Sequence, residues 1–369
     1  MNYCHKIKYQ IYSTKKDLFP VMVERLLEQL PEKVAVLRLA FFGMPPTNEE
    51  YLVRRKILKE KVLQKFGEEQ PALSYVSQPP LHASLILEAH FLENSEDTDV
   101  IKYKSIDGLP YALWENPYGR FLYAGGFQTD ILEWSIAKQS IAVFEKIEAL
   151  LQKEKFPIHS IIRQWNYIER ITDFEGENQH YQSFNNARSD FYAKDNWPAG
   201  YPAATGIGTN LGGILVDMDA AVFTSADAFT TPIDNKLQVA AHAYSEQVLA
   251  ASQHKKATPK FERAKSITAG KDRLVYISGT AAIRGEESLT GVGLEKQLHI
   301  TMENIAQLTG NAHICMLRVY LKEKEDYQQS KELMDGYSLS VPISYMWADV
   351  CRDELLIEIE GIALEKGVQ

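Results

Sequence analysis

The last apolar run of this 369-residue chain, Leu355-Leu-Ile-Glu358-Ile-Glu360, carries two carboxylates two residues apart. That spacing puts both on one face of a strand. In a cleft the two would repel, and one would keep its proton near neutral pH. Such an acid is suited to proton donation, which typically contributes roughly 100- to 10,000-fold to a rate. Pattern alone favours a plainer reading, a solvated sheet face. Two arginines, Arg163 and Arg318, sit mid-strand among apolar and aromatic residues. A buried arginine needs a partner, and a structural ion pair would satisfy it as well as a ligand.

Other chemistry is poorly supported. Cys4, Cys315 and Cys351 are odd in number and widely spaced, so they suggest reduced thiols, not disulfides or a zinc site. The nine histidines form no HExxH and no close pair, so no metal is expected. Thr205-Gly-Ile-Gly208 lacks the full GxGxxG pattern and a following helix, which argues against a dinucleotide.

The elements that must position these residues form a repeat. Phe121-Leu-Tyr-Ala-Gly-Gly126 and Leu274-Val-Tyr-Ile-Ser-Gly279 are short apolar runs closed by glycine, read as strands. Amphipathic helices are predicted next, at about Ile136 to Glu154 and Leu294 to Leu308. The arginine strands follow, then second helices at about Tyr181–Tyr192 and Tyr327–Met334, then closing strands bearing Asp217 and Glu358. The offsets agree: Gly126 to Gly279 is 153 residues, Arg163 to Arg318 is 155, and Asp217 to Glu358 is 141. The expected fold is α+β: two tandem modules, each a mixed sheet with helices on one face. Their expected bounds are 1–235 and 236–369. Residues 1–110 read as an elaboration of the first module, with strands at Val34–Phe42 and Ser84–His90 and a helix over Asn48–Phe66. A helix is predicted around Leu237–Tyr244, followed by a polar linker, Ser252–Pro259.

Composition narrows the function classes. Hydrophobic residues make up 45%, enough for one large core or two ordinary ones. A net charge of -9 argues against nucleic-acid and anionic-membrane partners. No apolar run approaches a membrane span, and the start lacks the apolar stretch of a signal peptide, so a cytoplasmic protein is expected.

The second copy resembles the YjgF/Rid family along Ile277-Ser-Gly-Thr-Ala281, Gln297, Glu303-Asn304-Ile305, Val319-Tyr320-Leu321 and Leu355–Ala363. From about residue 120 the chain resembles the chorismatase branch, which includes the 3-hydroxybenzoate synthases. The carriers are Arg163-Gln-Trp-Asn-Tyr-Ile168, Tyr181-Gln-Ser-Phe184 with Arg188, Tyr201–Gly208, Leu237-Gln-Val with Tyr244, Phe261-Glu-Arg-Ala264, Ser278–Ile283 and Ala348-Asp-Val-Cys-Arg352.

The resemblance implies YjgF-like modules and cleavage of the enolpyruvyl ether of chorismate, giving pyruvate and a hydroxylated ring acid. It implies no cofactor and no metal. Glu358 matches the family glutamate and becomes the proton donor. The substrate's two carboxylates call for arginine, whose planar fork donates paired hydrogen bonds. Arg188 and Arg263 lie in branch motifs, with Arg163, Arg318 and Arg352 as further candidates. Tyr244 and Thr205 would hydrogen-bond the ring hydroxyl or a carboxylate, or serve only in packing. Gly279 and Ala281 would line the substrate, unless they only end a strand at a bulge. Cys351 stands where some hydroxybenzoate-forming members carry a cysteine that steers the product. With Ala281 and Ala282 it does not single out one product, and the reading leans to 3-hydroxybenzoate, the plain alternative being an inert buried cysteine. A Rid-type imine deaminase would need an arginine about fifteen residues before the glutamate, where this chain has Ile343. A non-catalytic ligand-binding protein is the other rival. The resemblance leaves a monomer or a homotrimer open.

Overall fold

The computed structural model describes residues 6–93, 98–243 and 257–367. The expected linker falls mostly outside them, as do Tyr244 and Cys4. The first 92 residues build β1 (Ile7–Thr14), α1 (Phe19–Glu28), β2 (Ala35–Gly43), α2 (Asn48–Phe66), β3 (Ala72–Val76) and β4 (Leu85–Leu92). Two strands, β5 (Val100–Ile106) and β6 (Leu109–Asn116), lead into β7 (Gly119–Gln128), α3 (Ile136–Glu154), β8 (Ile161–Glu169), α4 (His180–Tyr192), β9 (Ala203–Thr209) and β10 (Ile214–Phe223). Two more, β11 (Ala228–Ile233) and β12 (Ala264–Ala269), precede β13 (Asp272–Ala281), α5 (Gly293–Thr309), β14 (His313–Leu321), α6 (Tyr327–Asp335), β15 (Ile343–Trp347) and β16 (Ile357–Glu365).

The predicted tandem α+β pair is present as two six-stranded sheets, ordered β9-β8-β10-β7-β6-β5 and β11-β12-β13-β16-β14-β15. β11 precedes residue 236 and pairs with β12, so the division between these sheets falls between β10 and β11. The N-terminal segment expected as an elaboration forms a third sheet, ordered β1-β4-β2-β3. All three sheets share a core order. The closing strand lies between the first and second strands, antiparallel to both, and the third strand pairs parallel with the second.

Alternation decides which way each strand faces. On β14, Leu317, Val319 and Leu321 pack under α5 with Leu298, Met302 and Ile305. On β8, Ile161 and Ile168 pack under α3 with Val143, Phe144 and Ile147. The opposite faces meet at the centre, where Phe42, Trp165, Tyr167 and Tyr320 from all three sheets share one core. Arg38, Arg163 and Arg318 occupy equivalent places on β2, β8 and β14, paired across the sheet with His90, Asp219 and Glu360.

The helix predicted around Leu237 is only a short 3-10 turn over Ala241–Ala243. Its backbone groups are committed elsewhere. Val239 N–H donates to Gly285 O, and Val239 O accepts from the Arg263 guanidinium. An intrahelical ladder would need those same groups.

Candidate active site

A cavity of about 640 Å³ opens between the second and third sheets. Its lining includes α4, through Tyr181, Gln182 and Asn185, with Phe174 and Gln179 before it; residues of the stretch Pro259–Arg263; β13 with its exit, through Gly279, Ala281 and Ile283, and on to Glu286–Ser288; and residues from Cys351 to Glu358.

Glu358 projects from β16, opposite Ala281 on β13 and Tyr320 on β14. It is only 5% exposed, and among the described residues no group hydrogen-bonds to its carboxyl. Burial first, and the neighbouring Glu360 carboxylate second, push its pKa up to about 8, against the pull of Arg163 and Arg263. Glu360, two residues on, lives differently. It accepts from Arg163, Thr205, Arg318 (2.9 Å) and Tyr320 (2.7 Å), which keep it saturated with donors. The pair thus separates into a bare acid holding its proton and a fixed, fully paired carboxylate.

The sequence-predicted residues divide along that line. Gly279, Ala281, Arg263, Cys351 and Arg352 line the cavity with Glu358. The Arg263 fork is bound to Val239 O at 2.8 and 3.2 Å, and Arg352 donates to Glu286 O (3.0 Å) and Ser288 Oγ (2.9 Å). Gly279 sits where β13 slips register against β16, and a Cβ there would collide with the Glu358 carboxylate. Burial, reinforced by Glu358, pushes the Cys351 thiol up to about 12, so it stays protonated.

Arg163, Arg318 and Thr205 are not in the cavity wall. They lie beneath it, in the alternative the sequence left open, a structural ion-pair cluster. Arg163 pairs with Glu360, and Arg318 grips Glu88 through two 2.6 Å bonds. Thr205 Oγ1 bonds Glu360 and accepts from Gly279 N–H (3.0 Å). Two buried carboxylates, Glu360 and Glu88, hold these arginines. Arg188 is buried one layer behind the wall. Sequence reasoning did not single out Tyr181 and Asn185 as site residues, although Tyr181 opens a motif it used. Among the described residues, no group of three His, Cys, Asp or Glu side chains could hold a metal, and no helix is long and apolar enough to cross a membrane.

A family model described as Chorismatase FkbO/Hyg5-like, N-terminal, matches residues 120–220. A 3-hydroxybenzoate synthase of Streptomyces hygroscopicus is 26% identical over 281 residues, covering 70% of this chain and 77% of that protein. A chorismatase of Streptomyces rapamycinicus is 27% identical over 245 residues, 61% of this chain and 70% of the other. A chorismatase crystal structure superposes with a TM-score of 0.67 at 19% identity, over 97% of this chain and 98% of that one. The fold is therefore the tandem α+β kind found in that chorismatase structure. At the level of sequence, the chain resembles chorismatases and 3-hydroxybenzoate synthases.

Proposed function

We propose that this chain is a cytoplasmic chorismatase, which cleaves the enolpyruvyl ether of chorismate and releases pyruvate, with 3-hydroxybenzoate as the ring product. One observation carries the reading: a buried, unpartnered carboxyl, Glu358, holds its proton at neutral pH on the wall of a cavity sized for a small ring acid.

The chemistry follows from that proton. Glu358 delivers it to the methylene carbon of the enol ether, which leaves positive charge on the ether carbon. Glu360, fixed two residues away with its oxygens held by four donors, stabilises that charge. Water then adds to the ether carbon and returns a proton to Glu358. The hemiketal collapses as its bond to the ring oxygen breaks and its hydroxyl proton passes to that oxygen, which frees pyruvate and the dihydroxy-diene acid. Loss of water from that acid gives the hydroxybenzoate. Hydrolysis to a dihydroxy-diene acid consumes one water, whereas pyruvate plus hydroxybenzoate balances chorismate with none. Arg263 and Arg352 supply cations at the cavity wall for the substrate carboxylates. The preference for 3-hydroxybenzoate is supported by the name of the similar synthase and by the protonated Cys351 thiol beside the acid. One chain closes its own ring of three sheets, so the reading needs no second copy.

The test is pyruvate release from chorismate, followed by a coupled lactate dehydrogenase assay, with the ring product identified by chromatography. Glu358→Gln is expected to lower the rate by roughly 100-fold or more while the protein stays folded. A folded wild-type protein that yields no pyruvate would sink the proposal.

A further inference from the structure

Of the four fully buried arginines, three meet carboxylates. Arg38 pairs with Asp219 at 2.6 Å, Arg163 with Glu360 and Arg318 with Glu88. Arg188 on α4 is the fourth. It is 1% exposed, and no carboxylate among the described residues pairs with it. Its Nε has no hydrogen-bond partner, and its guanidinium leans on the Phe184 ring, 5.5 Å away. Its hydrogen bond runs from Nη2 to Asn185 Oδ1, at 2.5 Å. A buried cation without a counter-ion is costly, so the arrangement calls for a reason.

Following the contact outward gives one. Asn185 is 2% exposed and lines the cavity, where Arg188 does not reach. With Arg188 donating to its carbonyl oxygen, the amide is oriented and its N–H₂ is left for another acceptor. One helical turn earlier stands Tyr181, also in the wall, so the two side chains are neighbours on one face of α4. Its ring fits over Gly206, where any Cβ would press on the ring edge at 2.8 Å. The hydroxyl lies within electrostatic reach of both Cys351 and Glu358. A phenol beside that amide can accept from it and keep its own proton for an acceptor in the cavity, with the cation behind polarising the chain.

We propose that Tyr181 is a substrate-contacting residue that donates a hydrogen bond to a carboxylate of the bound ring acid, and that Arg188 positions it through Asn185. Arg188 thereby acts on the ligand without touching it. The ligand's identity rests on the chorismate reading; the donor chain does not.

The experiment compares the full-length wild-type protein with Tyr181→Phe, Asn185→Asp and the double variant. Four quantities are read: kcat and KM for chorismate, calorimetric Kd for 3-hydroxybenzoate, and Tm. The carboxylate introduced by Asn185→Asp would still accept from Arg188 but could not donate to Tyr181. Tyr181→Phe is expected to raise KM and Kd roughly 10- to 100-fold, the loss of a hydrogen bond to a charged group, with Tm little changed. Asn185→Asp should weaken binding too, and the double variant should be no worse than Tyr181→Phe alone. KM and Kd within twofold of wild type in Tyr181→Phe would overturn the inference. Fully additive effects in the double variant would overturn the Arg188 relay, because they would mean that the introduced carboxylate merely repels the ligand. If the wild type leaves chorismate untouched but binds 3-hydroxybenzoate, the chorismatase reading fails and the Kd comparison still decides this inference. If it binds neither, both fall.

Discussion

Glu358 and Glu360 differ by two residues and by almost everything else, and the difference is made by their neighbours. Glu360 has four donors; Glu358 has burial and a like charge. Two consequences follow for pH. The reactive form is the protonated one, so kcat/KM for pyruvate release should hold level through neutrality and fall as pH rises through about 8. A profile that rises through that range would mean that Glu358 works as a base. Stability follows the same proton. The folded state keeps it up to about 8, while the unfolded chain loses it at its ordinary value of 4.5. Between those values the unfolded chain binds fewer protons, so this group's contribution falls as pH rises, with a limiting slope of about 1.4 kcal/mol per pH unit. Glu358→Gln has no such proton to lose. Its Tm relative to wild type should therefore climb from pH 5 to pH 8; a difference that stays flat would deny the raised pKa. The sequence could suggest this pair from spacing, but not which member would stay neutral. That depends on Arg163, Thr205 and Arg318, which reach Glu360 from distant parts of the chain.

At the scale of elements, the long periodic helices were the most legible. Ile136–Glu154 and the Tyr327 helix appear where the apolar spacing put them. The Leu237 helix failed because local propensity lost to tertiary hydrogen bonds from Arg263 and Gly285. The β13 slip at Ser278-Gly279 was readable only as a glycine at a strand end, yet it makes room for the acid. Gly279→Ala should push the Glu358 carboxyl out of place. We expect the rate of pyruvate release to fall roughly 10- to 100-fold, with overpacking costing about 1–3 kcal/mol of stability in denaturant titration. Wild-type activity in this variant would show that Glu358 does not need its present seat. The cavity wall from α4 was half legible. Tyr181 stood in a recognised motif, but its direction depends on Gly206 and on an amide oriented by Arg188.

The whole molecule is a ring of three sheets locked at its centre by charge. Arg38 of the first sheet reaches Asp219 of the second, Arg163 of the second reaches Glu360 of the third, and Arg318 of the third returns to Glu88 of the first. The three guanidinium carbons stand 5.0, 4.7 and 5.5 Å from the centre of the Trp165 ring. The two-copy repeat was visible in sequence, whereas the third copy was not, although Val36-Leu-Arg38-Leu and Glu88-Ala-His90 carry its central arginine and closing carboxylate. It lacks the glycine-closed first strand on which the search relied. β1 runs through without the bulge of β13, and its sheet has no counterpart of the added strands β5 and β6. The cyclic pairing makes a prediction that isolated ion pairs would not. Arg318→Met removes the partner of two buried carboxylates, Glu88 and Glu360, on different sheets. Stranding a buried charge costs about 3–5 kcal/mol, far more than a surface pair is worth. The variant should unfold at markedly lower denaturant. Adding Glu88→Gln should restore part of that loss, because one stranded charge is gone, while Glu360 keeps Arg163, Thr205 and Tyr320. A second substitution that deepens the loss would mean that the arginine holds the sheets by packing against Phe42 and Trp165, and that charge does not close the ring.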